Sequence, residues 1–486
     1  MPSLDLSFRL ACRYPEGTMY IGGEWITDGE ETPVRLPWDG SETGRVFRAD
    51  DNTVSRAVTA AREGARAMSR LTNYERAELL RRVCDLLRRD IEDFARAVCS
   101  ETGKPIREAR LEAERTVQTV LAAAEEGRRL QGEVVPMDAA PTGKGRMAMT
   151  VREPLGIIAA ITPFNFPLNL AMHKIGPALA GGNAVIHKPA TATPLSALRL
   201  ARAFEEAGAP AGAYNVITGD GSRIGLALVS HPDVAMVTFT GSVPVGTAIR
   251  AAAGLRRVTL ELGSNSAVVL EPDADLDTAV ARCVTGSFAN SGQVCISVQR
   301  IYVHETIATE FLGRFTAATR KLRIGHPFDE TSDITSLINE GEAKRVESWV
   351  CDAVKQGARL LTGGQRTGAT VTPAILSNVD RTSDLSCNEV FGPVVSVNTY
   401  RTLDEAIDAV NDSVYGLQSG IFTRDIERAF TAARRMQVGG VMINDVPTYR
   451  ADHMPYGGVK QSGTGREGPR YAIEEMTDLK LICWKI

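Results

Sequence analysis

The eight cysteines (12, 84, 99, 283, 295, 351, 387 and 483) contain no C-x-x-C pair, and neither His173 nor His187 lies near one of them in sequence. That excludes the usual zinc patterns, and scattered cysteines in a chain of 486 residues point to reduced thiols in the cytoplasm, not to a disulfide framework. No run of about 18 apolar residues occurs, so no transmembrane helix is expected. The start, Met-Pro-Ser-Leu-Asp-Leu-Ser-Phe-Arg, lacks a charged segment followed by an apolar one, so no secretory leader is expected. Blocks of like charge are also missing: 55 basic and 59 acidic residues are interspersed, leaving a net charge of −4. Nothing there points to nucleic acid or an anionic membrane as partner. What remains is an ordinary globular composition, 43% apolar and 23% charged, in a chain too long for one core.

Periodicity supplies the elements. Residues 19–26 read as a hairpin around Gly22-Gly23. Helices are expected over 53–71, 74–100 and 107–130; in the second, Leu79, Val83, Leu86, Leu87, Ile91, Phe94 and Val98 share one face. Residues 131–152 alternate apolar and polar around Pro141-Thr-Gly-Lys-Gly145, a β-hairpin arm. An isolated hairpin is marginal in water, so a second copy is expected to cover its apolar face, giving a homodimer or homotetramer. From 154 onward, short apolar strands alternate with helices, the pattern of parallel sheets covered on both faces. The expected fold is therefore α/β: two doubly wound domains, one from 1–130 with 153–258 and the other over 259–457, plus an arm from 131–152 with 470–486. The final Leu479-Lys-Leu-Ile-Cys-Trp is a strand candidate for pairing with the arm.

Several stretches can carry chemistry, each with a plainer reading. Cys295 follows the turn Asn290-Ser291-Gly292 between a helix and a strand. It is either a positioned thiol, whose own backbone N–H can stabilise an oxyanion, or one more buried apolar cysteine. Gly219-Asp-Gly221-Ser-Arg-Ile-Gly225 approximates a dinucleotide fingerprint, but its last interval is one residue too long. Thr240-Gly241-Ser242 enters a helix that contains Gly246: a pyrophosphate site, or a Gly turn with a Ser cap. Lys188-Pro189 ends an apolar strand at the sheet edge where ligands bind in such folds, or Lys188 is simply solvated. Pro163-Phe-Asn165-Phe-Pro167 offers a rigid carboxamide, and Glu261 stands in an apolar strand where a carboxyl has a raised pKa and can serve as a base.

Taken in order, these stretches resemble the NAD(P)-dependent aldehyde dehydrogenases. The resemblance rests on Pro163-Phe-Asn165-Phe-Pro167, Lys188-Pro-Ala, Phe239-Thr-Gly-Ser242-x-x-x-Gly246, Glu261-Leu-Gly263, Gly292-Gln-Val-Cys295 and Glu389-Val-Phe391-Gly-Pro393, and spans nearly the whole chain. It implies Cys295 as nucleophile, Asn165 with the Cys295 N–H as oxyanion donors, and Glu261 as the base for hydrolytic water. Glu389 would hold the nicotinamide ribose, with Phe391 near the nicotinamide. Lys188 and Thr191 would lie at the adenosine ribose, Gly241, Ser242 and Gly246 at the pyrophosphate, and Thr162, Phe164 and Gly225 elsewhere around the cofactor. The implied domains are a Rossmann-like cofactor domain and a catalytic domain.

Departures from the family pattern narrow the reading. Thr191 stands where strictly NAD-dependent members commonly carry Glu. A carboxylate there would repel a 2′-phosphate while a hydroxyl can bond it, so NADP is expected to be accepted, with NAD the other candidate. Val294 replaces the Arg of members acting on phosphorylated aldehydes. Phe164 and Ser264 replace a common Trp and a common Gly. Arg450 and Arg115 are candidate contacts for a substrate anion, with Ser297 beside them; for each arginine the plain alternative is a surface residue held by Asp452. The expected substrate is a short aldehyde bearing a carboxylate or hydroxyl, such as succinic semialdehyde or lactaldehyde. A CoA-acylating relative would tend to lack Glu261, and a catalytically silent one would have little reason to keep Cys295, Glu261 and Asn165 together.

Overall fold

The computed structural model describes residues 19–486; the leader reading and Cys12 fall outside them. The expected hairpin is Met19–Ile21 against Glu24–Ile26. A second hairpin, Glu30–Arg35 with Glu42–Arg48, is too polar to have been read from alternation. The helix expected over 74–100 is broken at Asp90, whose φ of −106° and ψ of 24° turn the chain. Ile91–Thr102 thereby packs on Ile106–Arg128 and Leu195–Glu206.

The first sheet runs Glu24–Ile26, Met19–Ile21, Tyr214–Val216, Ala184–Lys188, Ile157–Ile161, Val234–Thr240, Arg257–Glu261, Gly463–Thr464. Its central strands are parallel. Register puts Ile158 and Ala160 into one core and Ile157, Ala159 and Ile161 into the other, so helices cover both faces. The second sheet runs Arg359–Thr362, Ala374–Ser377, Val394–Tyr400, Arg300–His304, Ala267–Leu270, Gln418–Phe422, Gly440–Ile443, parallel but for its first pair. Val268 and Leu270 point to one side, Ala267 and Val269 to the other.

The boundary expected at 259 cuts a strand of the first sheet, because Arg257–Glu261 pairs with Val234–Thr240. The second sheet begins at Ala267. The arm is Val134–Val135, Arg146–Pro154 and Thr477–Lys485, the last strand paired with the middle one along its length. Its C-terminal part starts at Thr477, not at 470. The preceding helix, Pro469–Glu475, packs instead on Asn169–Ala180, and Ile473 and Met476 are buried in the first core.

The two sheets meet at opposite edges. Asn165, Lys188, Ser242 and Glu261 lie at or just past the carboxyl ends of first-sheet strands. Ser264, Cys295 and Glu389 precede the amino ends of second-sheet strands. A cleft between a carboxyl edge and a facing domain is the usual ligand position in doubly wound folds.

Candidate active site

Cys295 hangs on a strained turn. Asn290 (φ 49°), Ser291 (φ 54°) and Gly292 (φ 76°) are successively left-handed, and such backbone persists only when its surroundings over-determine it. They do. The Asn290 N–H donates to Glu108 Oε2 at 2.7 Å, Ser291 Oγ both donates to the Thr335 carbonyl and accepts from its N–H, and Gln293 Oε1 accepts from Ile338 N–H at 2.9 Å. A Cβ on Gly292 would fall 2.1 Å from the Gly392 carbonyl oxygen, so only glycine lets the two loops touch.

Asn165 is buried, and its Nδ2 donates to the Gln293 carbonyl at 2.8 Å, which leaves its second N–H free to turn to a ligand. Its turn is fixed from behind. Glu112 Oε1 accepts from the N–H groups of Leu168 and Asn169, Glu112 Oε2 pairs with Lys104 at 2.6 Å, and Lys104 sits over the Phe166 ring. Among the described residues no hydrogen bond takes up the Cys295 N–H.

The Cys295 sulfur lies 3.0 Å from the Tyr456 hydroxyl, in an apolar group with Val294, Ile296, Leu417 and Met454. Burial pushes the thiol up to about 12, while the Tyr456 bond and Arg450 pull it down and Glu389 and Glu261 push it further up. Glu261 is buried, and neither of its carboxyl oxygens has a hydrogen-bond partner. Burial, then the charge of Glu467, raises it well above the usual carboxylate range; Lys174, Arg450 and Arg466 pull it back. Gly457 makes room for it, since a Cβ there would stand 2.9 Å from Glu261 Oε1.

Glu389 Oε1 accepts from the Ser264 N–H at 3.0 Å. Burial raises this carboxyl to about 7, against the pull of that N–H and of Arg345. A Cβ on Gly263 would lie 2.5 Å from Glu389 Oε2, which accounts for glycine two residues after Glu261. Phe391, itself left-handed at φ 49°, packs edge-on against Phe164 at 5.7 Å.

Lys188 is buried and its amine donates to the Pro189 carbonyl; burial lowers it to about 8, with Asp220 pulling back up. Thr191 is exposed and its hydroxyl donates to the Gly219 carbonyl at 3.0 Å. Ser242, exposed, stands at the N-terminus of Val243–Ala253 without making a capping bond. Gly241 donates its N–H to the Glu261 carbonyl, and Gly246 is buried where a Cβ would meet Leu262 at 2.6 Å.

Four expected contacts are corrected by packing. The Thr162 hydroxyl is buried on His187 Nε2 at 2.8 Å. Gly225 is buried near Ile161, and Gly221 is the glycine that approaches Lys188, at 3.6 Å from Nζ to a Cβ position. The Ser297 hydroxyl bonds the carbonyls of Gly286 and Ser287. Arg450 neither lines a mouth nor meets Asp452: its side chain is 6% exposed, pairs with Glu467 Oε2 at 2.9 Å and lies over the Tyr456 ring at 3.7 Å. Asp452 is taken by Arg115, His173 and Asn169. Arg115 keeps 28% of its side chain exposed.

Sequence reasoning passed over Tyr456, Glu467 and Lys174. Lys174 lies on Asn169–Ala180, a helix buried on every face, and pairs with Glu467 at 2.6 Å. A lone lysine in an apolar helix was the available signal, because a buried charge needs a partner. For Tyr456 the signal was the crowding of glycines around it, Gly457, Gly458, Gly463, Gly465 and Gly468.

Comparison with known proteins agrees with this geometry. The family model described as "Aldehyde dehydrogenase family" matches residues 25–482. The 3-sulfolactaldehyde dehydrogenase of Priestia aryabhattai is 49% identical over 464 residues, 96% of this chain and 97% of that one. Aldehyde dehydrogenase 21 of Physcomitrella patens, solved in complex with the reaction product succinate, superposes with a TM-score of 0.94 at 37% identity, covering 96% of this chain and 98% of that one. The glyceraldehyde-3-phosphate dehydrogenase of Methanocaldococcus jannaschii, solved with NADP, gives 0.91 at 38% identity over 95% and 100%.

Proposed function

The chain belongs to the aldehyde dehydrogenase family, NAD(P)-dependent oxidoreductases that convert an aldehyde to its carboxylic acid, and we propose that Cys295 is its nucleophile, Asn165 with the Cys295 N–H its oxyanion donors, and Glu261 its base. The observation that carries this is Glu261: a buried carboxyl with two unpartnered oxygens, in electrostatic reach of a thiol it does not bond. Such a group would be costly as a structural element and fits a proton acceptor.

The residues around the cleft fit a dinucleotide. The uncapped Ser242 at a helix N-terminus suits a pyrophosphate, the Lys188 amine has N–H groups to give to a ribose, and the gap left by Gly263 seats the Glu389 carboxylate. When bound, the nicotinamide accepts the hydride from the aldehyde carbon. The chain's own work is to add the Cys295 sulfur to that carbon, bond the resulting oxyanion, and let Glu261 take a proton from the water that cleaves the thioacyl group. Thr191 favours NADP, because it carries no charge to repel a 2′-phosphate; its hydroxyl donates to the Gly219 carbonyl. The NADP held by the Methanocaldococcus jannaschii relative supports this.

The substrate is a short aldehyde carrying an anionic group and a hydroxyl, the class to which 3-sulfolactaldehyde belongs. Arg115, part-exposed and oriented by Asp452, replaces Arg450 as its anion contact. The first sheet with its helices holds the cofactor and supplies Asn165 and Glu261, and the second supplies Cys295. The arm joins copies of the chain, supported by Val134 (79% exposed), Leu479, Leu481 and Ile486 along it. The free thiols of the seven described cysteines support a cytoplasmic enzyme. A panel of 3-sulfolactaldehyde, succinic semialdehyde, lactaldehyde and a neutral aldehyde of equal length, followed at 340 nm with each cofactor, tests this. Anionic aldehydes are expected to lead, and Arg115→Ala to erase their advantage; an equal rate on the neutral aldehyde would refute the anion contact.

A further inference from the structure

We propose that Tyr456 is a catalytic residue: its hydroxyl donates to the Cys295 sulfur and holds the thiolate ready for the aldehyde carbon, with Arg450 as the residue that positions it. The inference rests on Cys295 being the nucleophile.

Among the described residues the Tyr456 hydroxyl makes the one hydrogen bond to Sγ, at 3.0 Å. Val294, Ile296, Leu417 and Met454 share its apolar cluster. The charged groups that act on it are Arg450, Glu389 and Glu261, and the two acids oppose ionisation. A tyrosine 2% exposed must place its hydroxyl on a partner, and here that partner is a sulfur, a poor acceptor as a thiol and a good one as a thiolate. A phenylalanine would fill the same space without that requirement.

The ring is held as a donor should be. Arg450 stacks on its face at 3.7 Å and is fixed by Glu467, which is fixed in turn by Lys174. The backbones of Tyr456 and Glu467 exchange two hydrogen bonds, so ring and anchor move as one unit. A cation over the ring draws electron density from the phenol and strengthens its O–H as a donor. Burial, then the adjacent Cys295, raises the Tyr456 hydroxyl well above the usual phenol range, with Glu261 adding to the rise and Arg450 opposing it, so the group stays protonated. In the step itself the sulfur enters as the thiolate, its proton already released to solvent water. The sulfur electron pair forms the bond to the aldehyde carbon, the carbonyl π pair moves to oxygen, and Tyr456 keeps its own proton.

The test is alkylation of cofactor-free enzyme by iodoacetamide across pH, read by mass spectrometry on the Cys295 peptide so that Cys351, Cys387 and Cys483 do not interfere. Tyr456→Phe is expected to move the midpoint up by about one unit, lowering the rate near pH 8 about tenfold, with the plateau at high pH kept. Arg450→Lys, which keeps a cation on Glu467 and loses the flat stack, is expected to move it the same way by less, and serves if the Phe variant does not fold. An unmoved midpoint, or faster alkylation of the Phe variant near pH 8, overturns the role of Tyr456. Cys295→Ala separates the two ideas: if it still oxidises aldehyde, the nucleophile is elsewhere, whereas an inactive Ala variant beside an unmoved Phe variant removes Tyr456 alone.

Discussion

Gly263→Ala should damage cofactor use while leaving the fold and the thiol intact. The added Cβ would stand 2.5 Å from Glu389 Oε2, 2.9 Å from its Cδ and 3.2 Å from Oε1. A carbon and an oxygen that are not bonded prefer separations near 3.4 Å, so the carboxylate must retreat by roughly 1 Å. It is the end of a flexible side chain, so it swings aside and the backbone stays. The swing breaks its 3.0 Å bond from the Ser264 N–H and takes the carboxylate off the ribose hydroxyls it is proposed to hold. A hydrogen bond to a charged group contributes about 1.5–3 kcal/mol, so KM for NADP should rise roughly 10- to 150-fold. Initial rates at 340 nm against NADP concentration measure this, with the thermal midpoint and the alkylation rate of Cys295 as controls expected to match the wild type. A KM within twofold of wild type in a folded variant would refute the link from Gly263 through Glu389 to the cofactor.

Glu261→Gln should give a burst of one reduced cofactor per site followed by a steady state about 10²–10⁴ slower, since the isosteric amide cannot take a proton from water; absence of a burst would place Glu261 in the earlier step instead. Because burial raises the Glu261 carboxyl, wild-type kcat should climb with pH above the ordinary carboxylate range, and this limb should be missing in the Gln variant. Thr191→Glu should reverse cofactor choice, lowering kcat/KM for NADP and sparing NAD; an unchanged ratio would show that residue 191 does not face the 2′-position. Burial works to raise Glu467, but Lys174 and Arg450 overcome it and hold the carboxyl at about 2 against an ordinary 4.5. Its contribution to stability is therefore complete above about 4.5 and lost as the pH falls towards 2. Glu467→Gln should lose that acid limb and cost about 3–5 kcal/mol at neutral pH by leaving buried cations uncompensated, measured by urea unfolding.

The doubly wound α/β architecture, though not the order of its strands, followed from patterns that sequence carries well. Continuous apolar strands such as Ile157–Ile161 and Ala184–Lys188 can only be buried on both faces, and the helices between them dictate parallel pairing. The stretches with fixed local chemistry, Pro163–Pro167 and Gly292–Cys295, were legible because prolines and glycines constrain backbone regardless of context. Choice of partner was not. Arg450 was matched with Asp452 because they are two residues apart, but in the folded loop they diverge, one to Glu467 and the other to Arg115 and His173. The break at Asp90 was hidden because the apolar face continues through it; only packing on Leu195–Glu206 shows why the chain turns there. The partners of the Thr162 and Ser297 hydroxyls were hidden for a related reason, since a hydroxyl's partner depends on which carbonyl or ring the fold brings alongside.

The late position of Tyr456 and Glu467 in the chain matters for how the enzyme is made. Cys295 leaves the ribosome long before the segment that supplies its hydrogen bond, its neighbouring charges and the strand Gly463–Thr464 that closes the first sheet beside Glu261. Until that segment docks, the cysteine has neither the Tyr456 hydroxyl nor the Arg450 charge near it. A chain ending before that segment lacks the hydroxyl beside the nucleophile, the last strand of the first sheet, and Ile473 and Met476 of the first core at once.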